Sequence, residues 1–136
     1  MSETNKKLVR KLYEAFWNRA DWSLADDILH ADYVGYIAHV PEPLRGPEAF
    51  KHLAALFHVF FPDLHFTLED QIAEGDRVAS RWTARSHHFG LHQMINGISI
   101  HRLEGGRVAE TWDNWDAIGL LQGAGADLLE RIGLSL

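Results

Sequence analysis

The sequence predicts an α+β domain in which three N-terminal helices pack on one face of a curved antiparallel sheet. Three observations predict it. Apolar residues recur at every third or fourth position up to Phe61, they alternate with polar residues after Pro62, and glycine-bearing turns separate the later runs. Helices followed by a series of connected strands is the chain order of an α+β layer fold. A sheet curved over helices leaves a cavity between the two layers. At 136 residues the chain has the length of one domain with one core, and it reads as a single domain over 1–136.

The elements follow in order. From Thr4 to Asn18, Leu8, Leu12, Ala15 and Phe16, flanked by Val9, Tyr13 and Trp17, make the apolar stripe of an amphipathic helix. Asp21 or Ser23 offers a side-chain oxygen to cap a second, shorter helix over Leu24 to Leu29. Tyr33 to Ala38 reads as a strand, stopped by the proline-rich turn VPEPLRGPE. Pro47 opens a third helix, where its missing N–H costs nothing. The stripe of that helix is Phe50, Leu53, Ala54, Phe57 and Phe61, and Pro62 ends it. Strands follow over Leu64 to Asp70 and, after the turn AEGDR, Val78 to Ser86, with Val78, Ser80, Trp82 and Ala84 on one face. Met94 to Leu103 and Val108 to Trp115 form a hairpin around EGGR, whose glycines supply the positive φ of a tight turn. A short apolar segment, Ala126 to Ile132, lies near the end.

Composition excludes several functions. Without cysteine there is no thiol nucleophile, disulfide or thiolate metal site. A formal charge of 13 − 19 = −6 argues against nucleic acid, whose phosphates are bound by clustered Lys and Arg. No run approaches the ~18 apolar residues of a membrane span, and MSETNKKLVRK lacks the apolar core of a signal peptide, so a cytoplasmic protein with no membrane contact is expected. The nine histidines are the unusual feature. His87, His88, His92 and His101 invite a metal reading, but adjacent residues of a strand face opposite sides and neither HxH nor HExxH occurs, so no metal is expected. His30, His52, His58 and His65 are read as surface residues and His39 as the end of a strand.

Chemistry is expected on the last hairpin. In Val108 to Asp116 one row holds Ala109, Thr111, Asp113 and Trp115 and the other Val108, Glu110, Trp112, Asn114 and Asp116; each contains a carboxylate, and alternation does not choose between them. Ser99 and His101 share a surface with Thr111 and Asp113 if the register sets Leu103 against a residue of the Asp113 row. Such a surface is a proton-transfer site, because burial raises a carboxyl's pKa toward neutrality. The bland alternative is a solvated strand-end aspartate. Tyr13, on the edge of the first helix's stripe, is either core or a pocket donor.

The run RGPEAFKHLAALFHVFFPDLHFTLEDQIAEGDRVASRWTARSHHFG, followed by GISIHRLEGGRVAETWDNWDAIGLLQ, resembles SnoaL-like polyketide cyclases through RGxE, FPDL, EGDRVxxRW and GRVxExW. These belong to the nuclear-transport-factor-2-like cone folds. The resemblance implies a cone-shaped sheet and a cofactor-free intramolecular aldol condensation with an aspartate on the last strand as acid/base, which falls on Asp113. It implies a histidine on the preceding strand; Ser99 aligns there, and His101 is the next side chain on the same face. Tyr13 matches a pocket tyrosine of the first helix, whereas the cyclases' asparagine has no counterpart between Ile37 and Ala49. Ile37 and Ser99 stand where ketosteroid isomerases need carboxyls, and Trp82 and Ala84 where epoxide hydrolases need Arg and Asp, so neither activity is expected. His88 and His101 with Tyr13 or Tyr36 imitate a dehydratase.

The expected protein is therefore a cofactor-independent cyclase or lyase for a hydrophobic or aromatic small molecule. Asp113 and His101 are its catalytic pair, and Tyr13, Phe16, Trp82, His88, Ser99 and Trp115 bind the substrate. The alternative is a binding or assembly module, favoured if the pocket is filled or Asp113 is held by an Arg. The outward row Val108, Trp112, Ile98 and Ile100 suggests a homodimer through the outer sheet face.

Overall fold

The computed structural model describes residues 2–88 and 91–116, with the backbone alone for 88 and 91–93. The segment Ala126 to Ile132 lies outside these residues. The first helix is an α-helix, α1 (Ser2–Lys11), continued by a π-helical segment, Leu12–Asn18. The sequence pattern predicts one uniform helix instead. Leu12, Tyr13, Ala15, Phe16 and Trp17 are all buried, more than one stripe of a 3.6-residue helix can present to a single neighbour. The wider winding turns these five residues toward the sheet and the third helix while Glu14 stays exposed, and π-turns of this kind are rare overall and frequent at functional sites.

The second helix is shorter than its pattern. A 3₁₀ turn (Trp22–Leu24) leads into α2 (Ala25–Ile28), and neither Asp21 nor Ser23 caps it; Ser23 Oγ donates to Asp21 instead. Leu29 already belongs to the sheet. Strand β1 (Leu29–Ile37) begins four residues before the expected Tyr33, because pairing with the last strand outweighs local helical preference. Inside the proline-rich turn a two-residue strand, β2 (Leu44–Arg45), pairs with β1. Helix α3 (Gly46–Phe60) starts at a glycine with φ of +84°, carries Pro47 in its first turn and buries Phe50, Ala54 and Phe57.

The long strands fall where alternation sets them: β3 (His65–Glu74), β4 (Arg77–His88), β5 (Leu91–Glu104) and β6 (Arg107–Trp115). The sheet order is β2-β1-β6-β5-β4-β3. Pairing is antiparallel except between β1 and β6, which run parallel, so the expected antiparallel sheet is a mixed one. A parallel pair needs a long crossover, and α3 with the β3–β5 meander supplies it. An irregularity between Leu68 and Asp70 shifts the phase of β3, which turns Gln71 and Ala73 inward and leaves Ile72 72% exposed. The helices cover one face of the sheet. Asn18 fastens them there: its amide donates to Phe66 O at 2.9 Å and its carbonyl accepts from Phe66 N at 2.7 Å.

Candidate active site

Three strands aim the polar side chains. The inward row of β4 is Val78, Ser80, Trp82, Ala84 and Ser86, and that of β5 is Ile95, Gly97, Ser99, His101 and Leu103. On β6 the sequence leaves two rows open. Asp113 faces inward with Thr111, while Glu110 faces outward and accepts from Arg102 Nε at 2.6 Å. The register differs from the condition set by the sequence: Leu103 pairs with Val108, in the opposite row. An irregularity between Arg102 and Leu103 absorbs the extra residue, so Ser99 stands opposite Asp113 and His101 opposite Thr111. The same shift buries Val108 completely, which removes it from the outward row proposed for a homodimer. Trp112, Ile98 and Ile100 remain on the outer face. Tyr36 is there too, stacked on Trp112 at 6.0 Å, and so cannot serve the dehydratase arrangement.

Between the layers lies a cavity of about 70 Å³. Its wall is largely aromatic: Tyr13 and Trp17 from the π-helical segment, Phe50, Phe57 and Phe61 in and just after α3, Phe66 from β3, Trp82 from β4 and Trp115 from β6. The polar groups gather on one side, where Ser99, His101, Thr111 and Asp113 line it from β5 and β6. No Lys or Arg is among the described residues that line it. The cavity is open and Asp113 has no arginine partner among the described residues, so neither condition favouring a passive module is met there.

A chain of hydrogen bonds holds Asp113. Trp82 Nε1–H donates to Ser99 Oγ at 2.9 Å, and the Ser99 hydroxyl donates to a carboxylate oxygen of Asp113. Gly97 makes room for this arrangement, because a Cβ there would sit 2.2 Å from Cζ2 of Trp82. Burial pushes the Asp113 carboxyl up to about 6, opposed by the Ser99 bond, which favours the charged form. Asp113 is half-buried: protein encloses it, yet the cavity reaches it. The Tyr13 hydroxyl lies beside Ser99, and its pKa is raised first by burial and then by the Asp113 charge, so it stays protonated. His101, 2% exposed, is pushed down to about 4 by burial and is neutral near pH 7.

The expected site residues thus separate. Tyr13, Trp82, Ser99, His101, Asp113 and Trp115 line one cavity. Phe16 does not; it is fully buried behind the wall, against Trp22 and Phe50. His88 ends β4, and its side chain lies outside the described part. His58 is not a surface residue, since its ring stacks on Trp17 and Nε2 bonds to Trp17 O at 2.9 Å. His87 is exposed and bonds through Nδ1 to Asp63 at 2.8 Å. Among the described residues no three His, Asp or Glu side chains converge as a metal site would require. The sequence reading missed Trp17, Phe57 and Phe61 as cavity wall and Tyr33 as a neighbour of Asp113. Strand alternation with Ile37 is the signal that places Tyr33 inside.

The structure is similar to that of IdmH from Streptomyces antibioticus, described as a candidate polyketide cyclase, with 25% identity over 90% of this chain and 99% of that chain and a TM-score of 0.78. TsrD from Streptomyces laurentii is similar at 26% identity over 93% of this chain and 98% of that one, with a TM-score of 0.78. A SnoaL-like protein from Jannaschia sp. CCS1 shares the fold, with a TM-score of 0.81 at 18% identity over 92% and 94% of the two chains. No curated protein matches. The model of the SnoaL-like polyketide cyclases matches residues 7–123, and the chain belongs to that family.

Proposed function

We propose that this protein is a cofactor-independent cyclase or lyase that removes a proton alpha to a carbonyl. One observation carries the reading: Asp113 sits in an aromatic cavity, without a cationic partner among the described residues, with its carboxyl pushed up to about 6. A base that ionises just below neutral pH is largely deprotonated when needed and strong enough to accept a carbon-bound proton. The proton passes from the alpha carbon to Asp113, and the electron pair moves to the carbonyl oxygen. Of the two donors suggested by the sequence, Tyr13 rather than His101 faces that step, since its hydroxyl lies beside Ser99 and feels the Asp113 charge. A placed donor to a developing enolate contributes about 3 kcal/mol. The enolate carbon then attacks a second carbonyl of the same molecule, a C–C bond forms, and the proton on Asp113 goes to the new alkoxide. The wall of Trp and Phe side chains excludes water that would quench the enolate.

The likeness to IdmH, named for polyketide cyclisation, and the family match support a cyclisation rather than hydrolysis. Deuterium exchange tests the proton transfer without requiring the natural substrate. The protein is incubated in D₂O with a panel of compact aryl ketones and 1,3-dicarbonyl compounds and followed by NMR. Exchange at the alpha carbon of at least one compound is accelerated by the wild type, and Asp113→Asn loses at least about a hundredfold of that acceleration. Acceleration of none, or acceleration that survives in Asp113→Asn, overturns the reading.

A further inference from the structure

Two residues that line the cavity each carry a buried polar atom with no partner among the described residues: His101 Nδ1 and Thr111 Oγ1. Both residues are 2% exposed, both line the cavity, and they stand directly opposite each other on β5 and β6. The Tyr33 hydroxyl comes near Thr111 but not in hydrogen-bonding geometry. Buried polar groups are nearly always hydrogen-bonded, because an orphan loses its water without replacement. Two orphans facing one another across a strand pair, at the edge of a cavity, are therefore unlike the rest of the core. They lie two residues along the strands from the Ser99–Asp113 pair, a spacing of about 7 Å.

We propose that His101 and Thr111 form a second polar subsite that binds a neutral hydroxyl or carbonyl oxygen of the ligand, about 7 Å from the group that meets Asp113. The inference rests on the reading of Asp113 only for what lies at the other end of the ligand. An imidazole nitrogen and a hydroxyl can donate together to a carbonyl, or one can donate while the other accepts from a hydroxyl. A carboxylate is excluded by charge, since the cavity wall offers no cation among the described residues and already holds Asp113. The enclosed space of about 70 Å³ is small beside the 300–1,000 Å³ of sites for drug-sized molecules, so the part of the ligand held between the two polar groups is compact.

The test titrates wild-type protein with phenol, toluene and benzoate at about pH 7.5, followed by amide chemical shifts, beside Thr111→Val, His101→Phe and Asp113→Asn. Phenol binds the wild type about tenfold more tightly than toluene, as one good hydrogen bond allows, and benzoate does not bind. Thr111→Val removes most of the preference while toluene affinity stays the same, and its Tm is unchanged or higher because an orphan hydroxyl is replaced by an isosteric methyl. His101→Phe behaves likewise, and if it fails to fold Thr111→Val decides alone. Asp113→Asn keeps the preference for phenol. Equal binding of phenol and toluene, binding of benzoate as tight as that of phenol, or a Thr111→Val variant that loses Tm and keeps the preference overturns the subsite. Loss of the preference in Asp113→Asn does so too, because it locates the oxygen at Asp113. A protein that prefers phenol through Thr111 but accelerates no exchange retains the subsite and loses the proposed reaction.

Discussion

Replacing Asp113 with Asn is expected to stabilise the ligand-free protein near neutral pH and to leave it unchanged in acid. The carboxyl ionises at about 6 in the folded chain and at 3.8 when exposed. A folded-state pKa raised above the unfolded one means that the group's contribution is complete below the unfolded value and is lost as pH rises through about 6. Two pKa units at about 1.36 kcal/mol each set a loss of up to about 3 kcal/mol at pH 7. Asn keeps the shape and carries no charge, so the variant escapes that loss. His101 titrates in the opposite sense. Its pKa is depressed from 6.5 to about 4, so its contribution is present above 6.5 and is lost as pH falls through about 4. Between about pH 4 and 6 the two slopes, each near 1.4 kcal/mol per pH unit, nearly cancel in the wild type, and Asp113→Asn uncovers the histidine's. Urea melts of both proteins at half-unit steps from about pH 3.5 to 7.5 read the difference, in which the other titrating groups drop out. A variant less stable than wild type at pH 7, or a difference that does not change with pH, would refute the reasoning.

Two further substitutions probe the support of Asp113. Ser99→Ala removes the bond that favours the carboxylate; a hydrogen bond to a charged group is worth about 1.5–3 kcal/mol, so the Asp113 pKa rises by about one to two units. The acid limb of the pH–rate profile moves to higher pH with it, and a limb that stays near 6 contradicts the assignment. Gly97→Ala drives a methyl into the Trp82 ring and breaks its bond to Ser99, at a cost of about 1–3 kcal/mol. Near-UV circular dichroism and Tm both change; if neither does, the indole does not rest on Gly97.

The fold was legible where the signal is periodic. The stripe of α3 and the alternation of β3 to β6 depend on one face being buried, and that requirement is written directly into residue order. What depends on pairing was not legible. The parallel contact of β1 with β6 recruits Leu29 to Asp32, a stretch without a strand pattern of its own, and the two-residue β2 exists only because β1 lies beside it. The π-helical winding at Leu12 is likewise imposed by burial on both sides. In the site, the family likeness chose Asp113 over Glu110, and the structure gives the physical difference: one carboxylate faces an aromatic cavity and the other an arginine. Phe16 was misplaced because a helix stripe does not say which of its residues meets a cavity and which meets core. The irregularity at Arg102–Leu103, on which the pairing of Ser99 with Asp113 depends, left no mark in the sequence.

The central claim is that Asp113 is a carboxyl kept dry enough to ionise near neutrality and held ready by Ser99. Carboxyl-carbon NMR on protein labelled at aspartate, with the Asp113 signal assigned by its disappearance in Asp113→Asn, measures that ionisation directly. The structure predicts a midpoint at about 6, well above the ordinary value of an aspartate side chain. A midpoint at or below the ordinary value of about 3.9 would mean that water or a cation reaches the group, and the proton-transfer site would be contradicted.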